Sequence, residues 1–487
     1  MNNRLLTSQY YCFKVKYIHV VLLLFFSLSL SGAAYYVKPG GNDRADGRSD
    51  AAAWATIARV NSARLLPGDT VFFKRGGVWR ITESEGSLEC KSGAAGVRIV
   101  YTSYGIGPKP LFYGSVEKNR QADWSKAGDK LWVNKDPLLR TQAGNIVFNN
   151  GESCGVRKLN REELSKQGDF IYDTDTRAVI LFSSVNPASF YNDIEITLTI
   201  MPSLIHARER NHVTIDGFDL RYAARHGIFI SRSHNITVRN CEISFMGGTL
   251  PRSTRLGNGI EMWGSVADIV IEKNLITDVY DSGITSQYMN DSVFVSGIYI
   301  RNNILRRNDF HFEWWYMDCT GSAGDIYFEN NTCTDAGRGW SHAQKTRNIH
   351  GEDIYISFLH QVSTRNLYIR NNIFSGALNY SVWGATNPSS LLSSLIEWRN
   401  NIYDKEETVF YMGQTGVHYK FEGWKLFFDN DEGSVNATQG FVSSTDLTPS
   451  AGSPAIDKGF PNGLKDDFFG NIRQGLPDIG AVERLIE

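Results

Sequence analysis

The chain is 487 residues long, 42% hydrophobic and 21% charged, with a formal net charge of -2. That is enough apolar material for a large core, and it excludes a disordered chain; the near-neutral balance, with no basic stripe, argues against nucleic acid as a partner. Forty-five Gly and 12% aromatic residues suit a turn-rich β protein with exposed rings.

Residues 1–34 read as a signal peptide. Lys14 and Lys16 precede an apolar run over 20–30, and Ser31-Gly32-Ala33-Ala34 supplies small residues for cleavage. The run is short for a membrane span, so the mature protein is expected to be exported, periplasmic or extracellular, with no stable span and as a monomer. Cys90, Cys154, Cys241, Cys319 and Cys333 remain after the signal. They fit no zinc spacing, and buried small hydrophobes are the plainer reading.

Residues 35–110 form an N-terminal cap and the first turns. A strand near Tyr35 is followed by a short helix over 55–63, a turn at Pro67-Gly68-Asp69 and a strand over 70–73. Residues 111–204 are either irregular β-rich turns or an inserted lobe, with strands predicted at 178–182 and 194–200.

Residues 205–404 repeat themselves. HVTIDGF (212–218), NITVRNC (235–241), DIVIEKN (268–274), GIYIRNN (297–303), DIYFENN (325–331), NLYIRNN (366–372) and LIEWRNN (395–401) align, with apolar residues two apart and then, in most, Asn. A repeat of roughly this length with strand-like alternation predicts a parallel β-solenoid. Alternate apolar residues such as Ile298 and Ile300 point into the coil. The Asn tolerates a left-handed turn and can bond its equivalents above and below. Residues 405–487 complete the turns, and the tail from Ser453 to Ala481 is expected to be a capping strand.

YYVKPGGNDRADGRSDAAAWATIARVN with LLPGDTVFFKRGGVWR near the start, and SPAIDKG followed by DDFFGNIRQGLPDIGAVE near the end, resemble bacterial right-handed parallel β-helix proteins of the pectate lyase-like superfamily. The resemblance spans nearly the whole mature chain. It implies an all-β, right-handed parallel β-helix with an N-terminal helical cap and a C-terminal capping strand. It also implies a polysaccharide partner, through lyase, hydrolase, epimerase or tailspike activity; the fold does not choose among them.

A solenoid interior is packed shut, so chemistry falls on an outer face. A short motif re-enters after each Asn turn: HGIFIS (226–231), NGIEMW (258–263), SGITSQ (282–287), HFEWWY (311–316) and YSVWGA (380–385). With Ile228, Ile260, Ile284, Phe312 and Val382 inward, Phe229, Glu261, Thr285, Glu313 and Trp383 face outward, and His342 is expected beside them on an intervening turn. Glu261 and Glu313 then sit two turns apart, with backbones separated by about 10 Å. Side-chain tilt brings such a pair into the range of inverting glycosidases, about 6.5–9.5 Å. Asp281 offers a closer partner. Aromatic neighbours would desolvate Glu313 and raise its pKa, as a general acid requires. A solvated polar face is the plainer reading of either Glu alone.

RGWSHAQKTRNIHGED (338–353) carries Arg338, His342, Lys345, Arg347 and His350 beside Trp340. Such cations could neutralise a uronate and remove its C5 proton, which is lyase chemistry. A solvated loop is the plain alternative. Trp263, Tyr288, Trp315, Trp340, His350 and Trp383 are candidate sugar-binding residues, with Trp314 inward and Trp315 outward. No cofactor is required. Calcium is compatible with Asp278, Asp281, Asp309 and Asp318, but no compact Asp motif fixes an ion. The sequence therefore supports a glycosidic-bond hydrolase with paired carboxylates, a uronate lyase using His342, Lys345 and Arg347, and a non-catalytic carbohydrate-binding β-helix, in that order.

Overall fold

The computed structural model describes residues 32–485 apart from 83–85, 140–142, 200–202, 250–255, 345–349, 360–361, 385–395, 405–408, 414 and 429–430. Its frame is a stack of parallel coils. On the first face Ile228, Ile260, Ile284, Phe312, Ile354, Val382 and Phe410 pair one to the next along the axis. On the second, Ile236, Ile269, Ile298, Ile326, Leu367 and Ile396 do the same. All are buried. Long strands such as His226–Arg239 and Ile260–Glu272 bend across both faces. The third face is built of three-residue strands, among them Glu242–Ser244, Leu275–Thr277, Ile304–Arg306 and Thr332–Thr334. Isoleucines stacked at strand spacing give each coil an apolar interior that only its neighbours can cover.

The Asn-Asn pairs divide their labour between two positions. The first of each pair, Asn302, Asn330, Asn371 and Asn400, takes the left-handed conformation that turns the corner. The second forms the buried ladder: Asn274 Nδ2 donates to Asn303 Oδ1 (3.0 Å), Asn303 to Asn331 (3.0 Å), Asn331 to Asn372 (3.2 Å) and Asn372 to Asn401 (3.1 Å).

The ends are closed differently. The N-terminal helix Ile57–Ser62 begins at Thr56, whose hydroxyl accepts from Arg59 N, and buries Ile57 and Val60. At the other end the helix Phe421–Phe428 places Trp424 over Phe410 (3.5 Å between ring centroids) and edge-on to Trp398 (5.6 Å). The tail beyond Ser453 is not the capping strand its sequence predicts. It is a strap along the asparagine corner, where Asn302, Asn330, Asn371 and Asn400 donate to the carbonyls of Asp466, Asp478, Phe460 and Lys458. The left-handed asparagines point their amides outward, and an extended segment with free carbonyls satisfies them.

Between Leu111–Tyr113 on the third face and Ser203–Arg208 on the first, the chain leaves the stack and builds a lobe. One sheet has the order Ser153–Cys154, Ile146–Phe148, Ile194–Thr197, Ser115–Glu117; the second joins Val156–Arg157, Asp169–Asp173, Ala178–Phe182, Leu131–Asn134 and Ser125–Gly128. The five cysteines among the described residues are unpaired thiols. No helix among the described residues is long and apolar enough to cross a membrane.

Candidate active site

Side chains alternate along a strand, so the residue after each inward one on the first face looks outward. The pairing sets them in one column: Glu89, His206, Phe229, Glu261, Thr285, Glu313, Tyr355, Trp383 and Tyr411. Phe312 and Trp314 on either side of Glu313 are fully buried in the coil.

Glu313 lies on the outer face yet is only 8% exposed. Ser282 Oγ (2.8 Å) and Thr285 Oγ1 (3.1 Å) both donate to its Oε2. Burial, and then the nearby negative charge of Asp281, push its pKa up to about 8, against the pull of those two hydroxyls. Glu261, two strands away, is equally buried but takes the opposite direction. Burial would raise its pKa, but His226 and the hydrogen bonds of Asn258 and Gln287 outweigh that and hold it below the ordinary glutamate value. His226 Nδ1 is 2.7 Å from Glu261 Oε2. Asn258 Nδ2 donates to the same oxygen (3.1 Å), and Gln287 Nε2 to Oε1 (3.3 Å). The two carboxyl environments are joined, because Asn258 Oδ1 accepts from the backbone N–H of Ser282 (2.9 Å). The two environments push the carboxyls in opposite directions, Glu313 toward its protonated form and Glu261 toward its ionised form, the kind of division that acid–base catalysis uses.

Asp281 immediately precedes this strand, half-buried, and its charge acts on Glu313. Trp263, Gln287 and Trp315 fill the next outward position, each half-buried, and Tyr288 meets Trp263 edge-on at 5.5 Å. Beyond Glu313 the face is aromatic. Tyr355 stacks on Phe310 (5.1 Å) and packs against Trp383 (4.7 Å), and His350 stacks on Trp383 (4.6 Å).

His342 is not in the column. Residues 335–344 carry a corner and the short helix Trp340–Gln344 rather than a strand of the face. The strand that continues the face comes later, at Glu352–Leu359, where Ile354 and Ile356 supply the inward alternation and Tyr355 takes the outward place. The helix instead docks on the lobe: Gln344 Nε2 donates to Asn145 Oδ1 (3.1 Å) and to the Gly155 carbonyl (2.9 Å). Trp340 donates to the Asp278 carbonyl (2.6 Å) and leans on Tyr280 (5.5 Å). Lys345 and Arg347 lie outside the described residues. Asp278 is engaged by Arg307 through two guanidinium nitrogens (2.8 and 2.5 Å). Among the described residues, the three carboxylates close enough to share an ion are Glu117, Asp193 and Glu195, and Arg80 already bonds Glu195 (2.6 Å) and Glu117 (3.3 Å).

Sequence reasoning missed His226, Asn258, Ser282 and Gln287. Three of them open the re-entry motifs, as His-Gly-Ile, Asn-Gly-Ile and Ser-Gly-Ile. The glycine is the usable signal. A Cβ at Gly227 would lie 2.7 Å from the Gly259 carbonyl oxygen, and one at Gly259 would lie 2.5 Å from that of Gly283. Only bare backbones stack this closely at the corner, and the polar residue just before each glycine is set at the start of the outward face.

A sequence model of the right-handed β-helix region matches residues 203–402. No curated protein matches the chain. Among solved structures, XylC in complex with xylose is 12% identical with a TM-score of 0.50, covering 93% of this chain and 98% of its own. A glycoside hydrolase is 11% identical with a TM-score of 0.49, covering 83% of this chain and 96% of its own. Pectate lyase Pel9A is 12% identical with a TM-score of 0.42, covering 93% and 97%. At these identities the likeness is one of fold: an all-β, right-handed parallel β-helix.

Proposed function

We propose that this protein is an exported carbohydrate-active enzyme that hydrolyses a glycosidic bond, with Glu313 as general acid and Glu261 as general base. The observation that carries the reading is the opposed ionisation of two buried carboxyls in one outward column. Glu313 is held protonated to about pH 8 and Glu261 is held ionised. Both hydroxyls that reach Glu313 address Oε2, which leaves Oε1 to carry the proton toward the glycosidic oxygen. Glu261 would take a proton from the attacking water. Two strand spacings separate the pair, about 9.6 Å between backbones, room for a water between acid and base rather than for direct attack by a carboxylate. The targeting pattern of residues 1–34 supports export.

The test is turnover of neutral and acidic polysaccharides, following reducing ends and ultraviolet absorbance together. New reducing ends without an unsaturated product, lost by roughly 10²–10⁴-fold in Glu313→Gln and in Glu261→Gln, are the expected result. An absorbing unsaturated product, or full activity in Glu313→Gln, would overturn the assignment.

A further inference from the structure

The charge along the outward column has a chemical consequence for the substrate. None of its nine residues is Lys or Arg. At its N-terminal end His206 Nδ1 is 2.9 Å from both oxygens of Glu89. Phe229 follows, its ring 5.6 Å from His206 and 6.2 Å from His226. Then come Glu261, matched by His226, and the carboxyl of Glu313. Beyond them Tyr355, Trp383 and Tyr411 continue the face, with ring centroids 4.7 and 6.3 Å apart. The second outward position adds Ser231, Trp263, Gln287, Trp315 and Ser357, preceded at the far end by Arg208, which faces Glu209 at 3.8 Å. The guanidinium whose charge acts on Glu261 is Arg225, half-buried and answered by that carboxylate.

Among the described residues, a uronate bound along this face would meet the carboxyls of Glu89 and Glu261 and no Lys or Arg of the column itself, Arg225 being engaged by Glu261, and like charges at close range cost affinity. An uncharged sugar meets no such penalty. Its apolar ring faces can stack on Phe229 on one side of the carboxyl pair and on Tyr355 and Trp383 on the other, while its hydroxyls find the amide, hydroxyl and imidazole groups between. We propose that the site, read as above as a glycosidase centre, selects an uncharged glycan over a uronate, held by aromatic residues on both sides of Glu261 and Glu313.

Calorimetry on the full chain carrying Glu313→Gln, titrated with xylohexaose, cellohexaose and mannohexaose and separately with hexagalacturonate at low salt, tests this. At least one neutral hexamer is expected to bind, with hexagalacturonate tenfold or more weaker. Adding Phe229→Ala or Trp383→Ala is expected to weaken the neutral hexamer by about tenfold each. Glu89→Lys, on a partly exposed side chain, is expected to strengthen hexagalacturonate binding relative to that of the neutral hexamer. Tighter binding of hexagalacturonate than of every neutral hexamer, or no neutral binding at all, overturns the proposal. The catalytic reading fails separately. If a neutral hexamer binds but the wild-type chain does not cleave it, hydrolysis falls and the selectivity stands; if hexagalacturonate is hydrolysed in preference, the reverse holds.

Discussion

His226 Nδ1 lies 2.7 Å from Glu261 Oε2, with 3% and 4% of the two side chains exposed. A carboxylate this deeply buried would ordinarily be driven toward protonation. The imidazole one strand away is the strongest influence in the other direction, ahead of the amides of Asn258 and Gln287. His226→Gln keeps a polar side chain at the site and removes the imidazole that favours the ionised form of Glu261. In that variant the acidic limb of the pH–rate profile should move to higher pH, because Glu261 protonates more readily. The alkaline limb, set by Glu313 at about 8, should stay in place. A uniform drop in rate with an unmoved acidic limb would mean that His226 serves packing alone.

Glu313 also couples pH to stability. Its folded value of about 8 stands above the ordinary glutamate value of 4.5. The folded state therefore holds this proton more tightly than the unfolded chain does. The resulting stability is complete below pH 4.5 and is lost as pH rises through about 8. Glu313→Gln removes the titrating group. Its melting temperature relative to wild type should rise between pH 5 and pH 9, equivalent to a few kcal/mol at the alkaline end. A melting difference that does not change with pH would show that Glu313 is not the group responsible.

The asparagine ladder makes a third prediction. Asn331 is fully buried. Its side chain accepts from Asn303 N and Nδ2 (both 3.0 Å) and donates to the Ile300 carbonyl (2.9 Å) and to Asn372 Oδ1 (3.2 Å). Asn331→Ala strands these partners inside the coil, where each unsatisfied group costs about 1–3 kcal/mol. A loss of about 3 kcal/mol or more is expected in denaturant unfolding. Asn400→Ala removes instead an exposed bond to the strap at the Lys458 carbonyl and should cost well under half as much. Equal losses would put the stability in the corner conformation rather than in the ladder.

How much of this was legible in the residues follows from which forces are local. The inward column could be read, because alternation forces Ile228, Ile260, Ile284, Phe312 and Val382 to one side, and Glu261 and Glu313 follow from it by parity. What defeated the reading was insertion length. Between Glu313 and Trp383 the sequence offers His342 beside Trp340, but the coil resumes only at Ile354, and periodicity says nothing of where a long corner ends. Apart from Asn258, three residues before Glu261, the partners of the two carboxyls come from other coils, 26 to 35 residues away. Their hydrogen bonds depend on how the glycine corners stack, which no single strand pattern encodes. The strap was misread for a related reason: its contacts are to turn amides, so it carries no strand alternation.

The stereochemistry of the reaction is the last prediction, and it follows from the register. Thr285 stands between Glu261 and Glu313 in the column, so the two carboxyls occupy non-adjacent strands. Adjacent strands would place the backbones about 4.8 Å apart and suit a covalent intermediate, whereas two spacings leave the gap that an attacking water needs. Hydrolysis of a glycoside of known anomeric configuration, followed by proton NMR in the first minutes before mutarotation, should therefore give the inverted anomer. Asp281 is the carboxylate whose charge also acts on Glu313. If the product is retained instead, Asp281→Asn should abolish turnover and Glu261→Gln should not, which would move the second carboxylate's role from Glu261 to Asp281.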